Sequence, residues 1–121
     1  MSEMIKVAVD AMGGDNAPAA IVKGAVEALL ESDKLFVYLA GKEDAIRQEL
    51  SKYTYPEDRV QVVPASQVIE TGEPPVHAIR GKKDSSLVVA LGLVRKGEAD
   101  AFVSAGSTGA VLVGGQVMVG K

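Results

Sequence analysis

The sequence predicts an open α/β fold in which a mainly parallel sheet lies between two layers of helices. Two observations predict it: short apolar strand-like segments alternate with longer segments of helical periodicity, and Gly, Pro or polar capping residues mark the changes. The predicted order is βαβαβ, an irregular loop and then αβα. Strands joined by helices pair in parallel, because a helical crossover returns the chain to the edge at which it started.

The first half of the chain supplies three predicted strands and two predicted helices. Residues 4–10 form an apolar strand, and Pro18 opens an amphipathic helix. That helix is expected to bury Ile21, Val22, Ala25, Leu29 and Leu30. A second strand is predicted over 35–40, a helix over 42–53 and a third strand over 60–63. The second helix is expected to bury Ile46, Leu50 and Tyr53.

An irregular loop interrupts this alternation over about residues 64–84. Its segment Thr71-Gly72-Glu73-Pro74-Pro75 is excluded from a helix interior or a central strand by its glycine and its two prolines. Residues 77–80 are predicted to form a single helical turn. A third full helix then begins near residues 84–85 and ends at Arg95-Lys96-Gly97, since cations in the last turn and a glycine beyond it are typical of a helix end.

The predicted elements close with a strand over 99–104 and a fourth helix that begins around residues 106–107. Residues 111–119 are apolar almost all round this helix, a pattern typical of burial on several sides. No further element follows to bury such a helix, because the sequence stops at Lys121. Either a partner covers the helix or the chain is a fragment of a larger protein, and we favour the second interpretation.

The composition excludes several classes of protein. The 121 residues include no cysteine, which excludes a disulfide, a thiolate metal site and a cysteine nucleophile, and fits a cytoplasmic protein. The formal net charge of −3 and the lack of tryptophan argue against nucleic-acid binding, which favours basic and aromatic surfaces. Residues 1–6 lack the apolar core of a signal peptide, and the longest apolar runs are too short to span a bilayer.

Two glycine-rich polar loops each follow a predicted strand and precede a predicted helix. The first carries Asp10, Gly13, Gly14, Asp15 and Asn16, and the second carries Ser104, Gly106, Ser107, Thr108 and Gly109. Helix N-termini attract anions through N–H groups and the macrodipole, while glycine lets a ligand approach the backbone. If the sheet has the order 3-2-1-4, the strands before these loops are neighbours, and both loops border the crevice at the topological switch point.

The expected ligand of this crevice is a phosphate or carboxylate group without a nucleotide. Neither loop has the Gly-Lys-Ser/Thr of a Walker A motif or the glycine spacing of the dinucleotide fingerprint. Ser104, Ser107 and Thr108 would add hydroxyl donors to the backbone N–H groups. The alternative is that both loops are ordinary strand-to-helix turns with capping side chains, although two glycines beside two carboxylates exceed what a turn needs.

A basic segment is the third candidate for ligand contact. Five of its residues are expected to contact a phosphate-bearing or acidic partner: Arg80, Lys82, Lys83, Ser85 and Ser86. The alternative is a solvated charged turn. His77, the only histidine, is a candidate general acid or base, with a structural or merely exposed side chain as the alternative. Asp10 and Asp15 could bind a metal, but no further ligand cluster is visible in the sequence, so we expect no metal.

Three segments of the chain form a recognisable set. They are Val9-Asp10-Ala11-Met12-Gly13-Gly14-Asp15-Asn16-Ala17-Pro18, Lys83-Asp84-Ser85-Ser86 and Ala99-Asp100-Ala101-Phe102-Val103-Ser104-Ala105-Gly106. In this order they resemble the PlsX family, the phosphate acyltransferases of bacterial phospholipid synthesis. The resemblance covers essentially the whole chain, and its first segment is long and specific. Ser107 departs from it, because the family usually has asparagine there, and serine keeps a polar cap but lacks the amide donor.

The resemblance implies an enzyme that converts acyl-[acyl carrier protein] and inorganic phosphate to acyl phosphate and free carrier protein. It implies the open α/β/α fold of the isopropylmalate dehydrogenase and phosphotransacetylase group, a homodimer, and peripheral association with the inner face of the cell membrane. No cofactor is expected, since phosphate itself attacks the thioester. Family members are well over twice as long as this chain, so residues 1–121 would be the N-terminal α/β portion of a larger enzyme.

For this reaction the crevice would hold phosphate beside the acyl group. Asp15 and Asn16 would orient groups there, and residues 104–109 would donate hydrogen bonds to phosphate or to the acyl oxygen. The side chains that would meet the acidic carrier protein or its phosphopantetheine are Arg80, Lys82 and Lys83. No essential acid, base or phosphate-binding cation is assigned, and some are expected beyond Lys121. Two alternatives stay open: a dehydrogenase of the same fold group, and a non-catalytic module that binds acyl carrier protein.

Overall fold

A computed structural model describes residues 4–69 and 74–104 of the chain. The strands are β1 (Ile5–Asp10), β2 (Leu35–Gly41), β3 (Val60–Pro64) and β4 (Ala101–Val103). The helices are α1 (Ala19–Glu31), α2 (Glu43–Leu50), α3 (Pro75–Gly81) and α4 (Ser86–Arg95), and a 3-10 turn covers Glu57–Arg59. Among these residues, no helix is both long and apolar enough to cross a membrane.

The four strands form one parallel sheet with the order β3-β2-β1-β4. Val7 of β1 pairs with Val37 of β2 on one side and with Ala101 of β4 on the other. This confirms the predicted open parallel α/β fold and the predicted strand order. Because β4 lies on the far side of β1, the chain reverses its direction of travel across the sheet between β3 and β4.

One face of the sheet packs against α1 and α2. Side chains of a strand alternate between faces, so Val9 of β1 and Leu39 of β2 point to this side, where they meet the buried face of each helix. The buried residues of this core are Val9, Ala11, Val22, Val26, Leu29, Val37, Leu39, Ile46 and Leu50. Burying one such aliphatic side chain contributes about 1.5–3 kcal/mol, so this core fixes both helices on the sheet.

Two predictions for this layer are wrong. Leu30 is 65% exposed, because successive helix positions are rotated by about 100° and Leu29 occupies the buried position. The second helix ends at Leu50 instead of continuing to Tyr53, and Ser51 forms its C-terminal cap. Tyr53 is still partly buried against the same core, which it reaches from the turn after the helix.

The other face of the sheet packs against α4 through small side chains. Ala8 of β1, Ala40 of β2 and Ala90 of α4 are fully buried in one cluster there. Alanine at these positions leaves room for the helix to approach the sheet closely, which completes the third layer. A separate cluster joins α3 to α4 and contains Ile69, Ala78, Ile79, Leu87, Val88 and Leu91.

Residues 64–84 contain more structure than an irregular loop. The turn predicted over 77–80 belongs to α3, a helix of 7 residues with proline at its first position. Ser85 is the N-cap of α4, and its side chain accepts a hydrogen bond from the Val88 N–H at 3.2 Å. The helix stops as predicted, since Gly97 beyond its end has φ 81°, a conformation that glycine adopts without steric cost.

A single arginine ties the end of α1 to the start of β2. Arg59 donates from Nη1 to the carbonyl oxygens of Ser32 at 2.6 Å and Leu35 at 3.1 Å. Its Nη2 donates to the Leu29 carbonyl oxygen at 3.0 Å. The last carbonyl groups of a helix lack partners within the helix. The planar guanidinium group of Arg59 supplies hydrogen-bond donors to such carbonyl oxygens.

We expect Arg59→Lys to lower the free energy of unfolding of the full chain by about 2 kcal/mol, because one ammonium group cannot reach all of these carbonyl oxygens. Arg47→Lys is the matched control, since Arg47 makes an exposed i,i+4 pair with Glu43, for which about 0.3–0.5 kcal/mol is usual. Urea denaturation followed by circular dichroism measures both variants. Equal losses would contradict the role assigned to Arg59.

Candidate functional site

The carboxyl ends of β1 and β4 lie side by side at one edge of the sheet. Val9 pairs with Val103. Asp10 directly follows Val9 and Ser104 directly follows Val103, so both residues leave the paired strands at the same level. β2 pairs with the other side of β1. The edge of the sheet between Asp10 and Ser104 is therefore its topological switch point, where open α/β folds bind their ligands.

Asp10 lies buried at this point and joins distant parts of the chain. Only 3% of its surface is exposed. Its Oδ1 accepts hydrogen bonds from the Ser86 hydroxyl at 2.5 Å and from the Met12 N–H at 3.2 Å. Its Oδ2 accepts one from the Ser104 hydroxyl at 2.9 Å. These residues, called the Asp10 cluster below, fix the start of α4 and the end of β4 to the end of β1.

Hydrogen bonding within the Asp10 cluster determines what Ser104 offers to a ligand. A buried carboxylate must be surrounded by donors to offset its lost hydration, and the hydroxyls of Ser86 and Ser104 serve this need. Ser104 gives its single hydroxyl hydrogen to Asp10, so any further partner of this oxygen has to donate to it. The predicted role of Ser104 as a donor to a ligand therefore requires that its bond to Asp10 opens.

The glycine-rich loop after β1 turns away from the core and presents polar side chains to solvent. Gly13 is buried, while Gly14 has φ 90°, a left-handed conformation that favours glycine. Asp15 and Asn16 are exposed. The Asn16 carbonyl oxygen accepts a hydrogen bond from the Ala20 N–H at 2.9 Å, which sets this loop on the first turn of α1. The two carboxylates of the motif thus differ: Asp10 faces the protein and Asp15 faces outward.

Asp10 and Asp15 do not assemble a metal site in the part of the chain that the structure describes. The oxygens of Asp10 accept hydrogen bonds from the protein, and Asp15 is exposed on the loop above. Within residues 4–69 and 74–104, no group of three or more His, Cys, Asp or Glu side chains lies close enough together to hold a metal ion.

Only the beginning of the second predicted loop is described. Ser104 is half-buried and held by Asp10. The following residues and segments lie outside the described residues: Gly106, Ser107, Thr108, Gly109, the helix predicted from residues 106–107 and its apolar stretch over 111–119. The bond from Ser104 to Asp10 nevertheless brings the start of this loop to the end of β1, where the first loop begins. Contact between a ligand and the rest of the second loop stays a prediction.

Ser85 and Ser86 of the basic segment are enclosed by the protein. They are 0% and 1% exposed. The Ser85 side chain caps α4, and the Ser86 hydroxyl donates to Asp10. Direct contact between these hydroxyls and a partner would require the surrounding chain to open, so in this structure both serines hold α4 in place.

The cations of the segment have different surroundings. Lys82 is half-buried and donates from Nζ to the Val68 carbonyl oxygen at 2.9 Å. Arg80 and Lys83 are exposed. His77 is also exposed, on α3, and makes no hydrogen bond to the Asp10 cluster. Arg80 and Lys83 are therefore the members of the predicted set that a partner can reach without rearrangement.

Asp84 fixes the basic segment to the chain that follows β3. Its Oδ2 accepts hydrogen bonds from the Ser66 hydroxyl at 2.5 Å and from the Ser66 N–H at 2.9 Å. These donors hold the pKa of the Asp84 carboxyl below its usual value, since they stabilise the charged form. Gln67 adds a backbone bridge, because its N–H donates to the Asp84 carbonyl oxygen at 3.0 Å and its own carbonyl accepts from the Ser86 N–H at 3.0 Å.

Comparison with known proteins gives this site its context. Residues 5–121 match the profile of a family described as "Fatty acid synthesis protein". The chain belongs to this family. It is 52% identical over 117 residues to the phosphate acyltransferase of Clostridium botulinum (strain Alaska E43 / Type E3), a match that covers 97% of this chain and 35% of the relative. The resemblance to phosphate acyltransferases seen in the sequence is thereby confirmed.

Other phosphate acyltransferases match over the same length. The phosphate acyltransferases of Clostridium beijerinckii (strain ATCC 51743 / NCIMB 8052) and Halothermothrix orenii (strain H 168 / OCM 544 / DSM 9562) are 50% and 46% identical over 117 residues. Each match again covers 97% of this chain and 35% of the relative. The chain therefore spans about a third of the length of these relatives.

We expect Asp10→Ala to destabilise the full chain by about 3 kcal/mol, because the substitution leaves the buried hydroxyl of Ser86 without its acceptor and removes the bond from Asp10 to the half-buried Ser104. Asp15→Ala is the matched control and should change the free energy of unfolding by less than about 0.5 kcal/mol, since its carboxylate is exposed. Urea denaturation compares the two. A loss for Asp10→Ala as small as that for Asp15→Ala would contradict the Asp10 cluster.

Asp84 should make stability depend on pH. Because its folded-state pKa lies below the ordinary value of 3.8, its contribution is present above that pH and is lost as the pH falls from 3.8 through the lower, folded-state pKa. The stability difference between the wild type and Asp84→Asn should therefore be larger at about pH 6 than at the lowest pH at which both proteins stay folded. Asp33→Asn, another exposed position, controls for the loss of one charge. A difference for Asp84→Asn of equal size at both pH values would refute this assignment.

Proposed function

We propose that this chain is part of a phosphate acyltransferase that moves the acyl group of acyl-[acyl carrier protein] onto inorganic phosphate. The observation that carries the proposal is the Asp10 cluster, which joins the glycine-rich loop after β1 to the end of β4 at the switch point. This arrangement supports a small-anion site in the crevice. The relatives that match over 117 residues are named phosphate acyltransferases, which supports phosphate as the anion.

The proposed reaction needs positioning and charge stabilisation more than an enzyme nucleophile. A phosphate oxygen attacks the thioester carbonyl carbon, a C–O bond forms as the C–S bond breaks, and the proton of monohydrogen phosphate passes to the departing thiolate. Oriented donors stabilise the charge that develops on the carbonyl oxygen, and holding both reactants together replaces a bimolecular encounter. The loop around Gly14 supplies this chain's exposed backbone at the crevice.

We assign different roles to the two carboxylates of the first motif. Asp10 is enclosed and accepts hydrogen bonds from the protein, so it is a positioning residue that holds Ser104 against the loop after β1. Asp15 and Asn16 are exposed on that loop and would touch the substrates. Asn16 has an amide that can donate to a phosphate oxygen, while Asp15 can accept the hydrogen of monohydrogen phosphate. The role of His77 as a general acid or base stays a prediction.

The proposal extends to the partners of the enzyme. Arg80 and Lys83 are the exposed cations of the basic segment and would contact the acidic carrier protein. A homodimer, a cytoplasmic location and peripheral association with the inner face of the cell membrane stay predictions of the resemblance. A reaction without cofactor, metal or nucleic acid stays a prediction as well.

Two other functions have less support. A dehydrogenase of the same fold group would be expected to carry a dinucleotide fingerprint, and neither glycine-rich loop has its spacing. A non-catalytic module that binds acyl carrier protein would explain the exposed cations but would not need Ser104 and the loop after β1 to meet at Asp10. The names of the relatives also favour the transferase.

The test uses a chimera in which this chain replaces the matching segment of the Clostridium botulinum phosphate acyltransferase. Acyl phosphate formed from acyl-[acyl carrier protein] and phosphate is trapped with hydroxylamine. We expect the chimera to form acyl phosphate, and Asp15→Ala and Gly106→Val each to lower the rate by about 100-fold, the loss that misplaced reacting groups cause. Asp33→Ala, at an exposed aspartate before β2, is the matched control and should keep the rate.

Two results would contradict the proposal. A folded chimera that binds acyl carrier protein without forming acyl phosphate would favour the binding module. Rates within about twofold of the parent chimera for both Asp15→Ala and Gly106→Val would show that the crevice takes no part in the reaction.

A further inference from the structure

A shallow groove on the outer face of α4 combines positive charge with an apolar floor. Its volume is about 470 Å³. We call it the cationic groove, and its lining residues are Lys83, Val88, Val89, Gly92, Arg95 and Lys96. Half of these residues are cations and none is an acid, although the whole chain has a net charge of −3. The lining of the groove is thus locally positive.

The cations of the groove are available to a partner. Lys83, Arg95 and Lys96 are exposed. In the parts of the chain that the structure describes, the ion pairs lie on α2 and the turn after it, where Arg47 pairs with Glu43 and Lys52 with Glu49. Lys83, Arg95 and Lys96 belong to neither of these pairs, and exposed cations attract an acidic surface over about 10 Å at moderate salt.

Helix stabilisation alone does not explain this charge pattern. Arg95 and Lys96 lie at the C-terminus of α4, where the helix dipole favours a cation. Lys83 lies just before the N-cap Ser85, at the end where the dipole disfavours a cation. A stabilising role would therefore account for two of the cations and not for the third, whereas an acidic partner laid along the helix would engage all of them.

The groove leads to the candidate site. Lys83 stands three positions before Ser86, whose hydroxyl donates to Asp10. From this end α4 runs for 10 residues, about 15 Å, to Arg95. A protein bound along the helix would thus lie beside the crevice in which the proposed reaction takes place.

We infer that the cationic groove is the docking surface for an acidic protein with an apolar contact patch, and that this partner is the acyl carrier protein. The identity of the partner rests on the proposed function. The valines and Gly92 form an apolar floor between charged ends, which matches a protein interface with an apolar centre and a charged rim. The docking surface thus includes Arg95 and Lys96 at the end of α4 as well as the predicted contact at Lys83.

Gly92 offers a position in the groove at which a side chain can be added without a steric collision. A Cβ atom added at Gly92 would meet no heavy atom within 4 Å, so a side chain there enters the groove without a collision. Gly24 of α1, on the other side of the sheet, has equally open space and serves as the matched control. Gly92→Ala adds only a methyl group and tests whether loss of the glycine itself has any effect.

Isothermal titration calorimetry of the full chain with acyl carrier protein tests the docking. We expect Gly92→Glu to weaken binding by at least about tenfold, because it blocks the floor and reverses charge, while Gly92→Ala and Gly24→Glu bind like the parent. Arg95→Gln combined with Lys96→Gln, at exposed positions, should weaken binding and reduce its salt dependence. Circular dichroism shows whether Gly92→Glu folds. If it does not, the double variant alone tests the docking surface.

The same variants in the chimera separate this inference from the proposed function. An active chimera in which Gly92→Glu raises the KM for acyl-[acyl carrier protein] with kcat unchanged supports the docking surface. Unchanged affinity and KM in both Gly92→Glu and the double variant would overturn it, even with an active enzyme. Binding of the chain to phosphatidylglycerol vesicles in place of carrier protein would also overturn it. Tight, groove-dependent binding of carrier protein to an inactive chimera would refute the proposed function and leave the docking surface standing.

Discussion

A carboxylate buried in a protein is costly unless donors surround it, and at Asp10 this constraint determines how the segments of the site meet. The hydroxyls of Ser86 and Ser104 and the N–H of Met12 supply the donors. Each is brought by a different element, so the carboxylate can be satisfied only when β4 lies beside β1 and α4 begins at this edge. The position of Ser104 beside the loop after β1 and the position of the start of α4 both follow from this arrangement.

Much of the fold was predictable because its signals are local. Apolar strands separated by amphipathic helices predict a parallel sheet, and the reversal of strand order at β4 agrees with the open α/β pattern. The errors arise where packing overrides local pattern. Leu30 fits the apolar stripe as well as its neighbour does, but only Leu29 faces the sheet. The helix at Pro75–Gly81 exceeds the single turn predicted, since its burial depends on contact with α4 that no local pattern contains.

The candidate site was predictable residue by residue but not as a set of contacts. Motif composition indicated Asp10, Ser86 and Ser104 separately, yet the bond from Ser86 to Asp10 joins residues 76 positions apart. Sequence spacing does not indicate which serine faces the protein, so Ser86 was predicted to meet a partner although it is enclosed. Ser66 was not predicted at all, because a lone serine after a strand carries no signal for its bond to Asp84.

The central claim is that Asp10 holds the end of β4 through Ser104, and a double-mutant cycle tests it most directly. Free energies of unfolding are measured in urea for the parent chain, Asp10→Ala, Ser104→Ala and the double variant. If the contact holds the two segments together, Ser104→Ala costs more stability in the parent than in the Asp10→Ala background, which gives a coupling energy of about 1–3 kcal/mol. Additive losses, with a coupling energy below about 0.3 kcal/mol, would contradict the account.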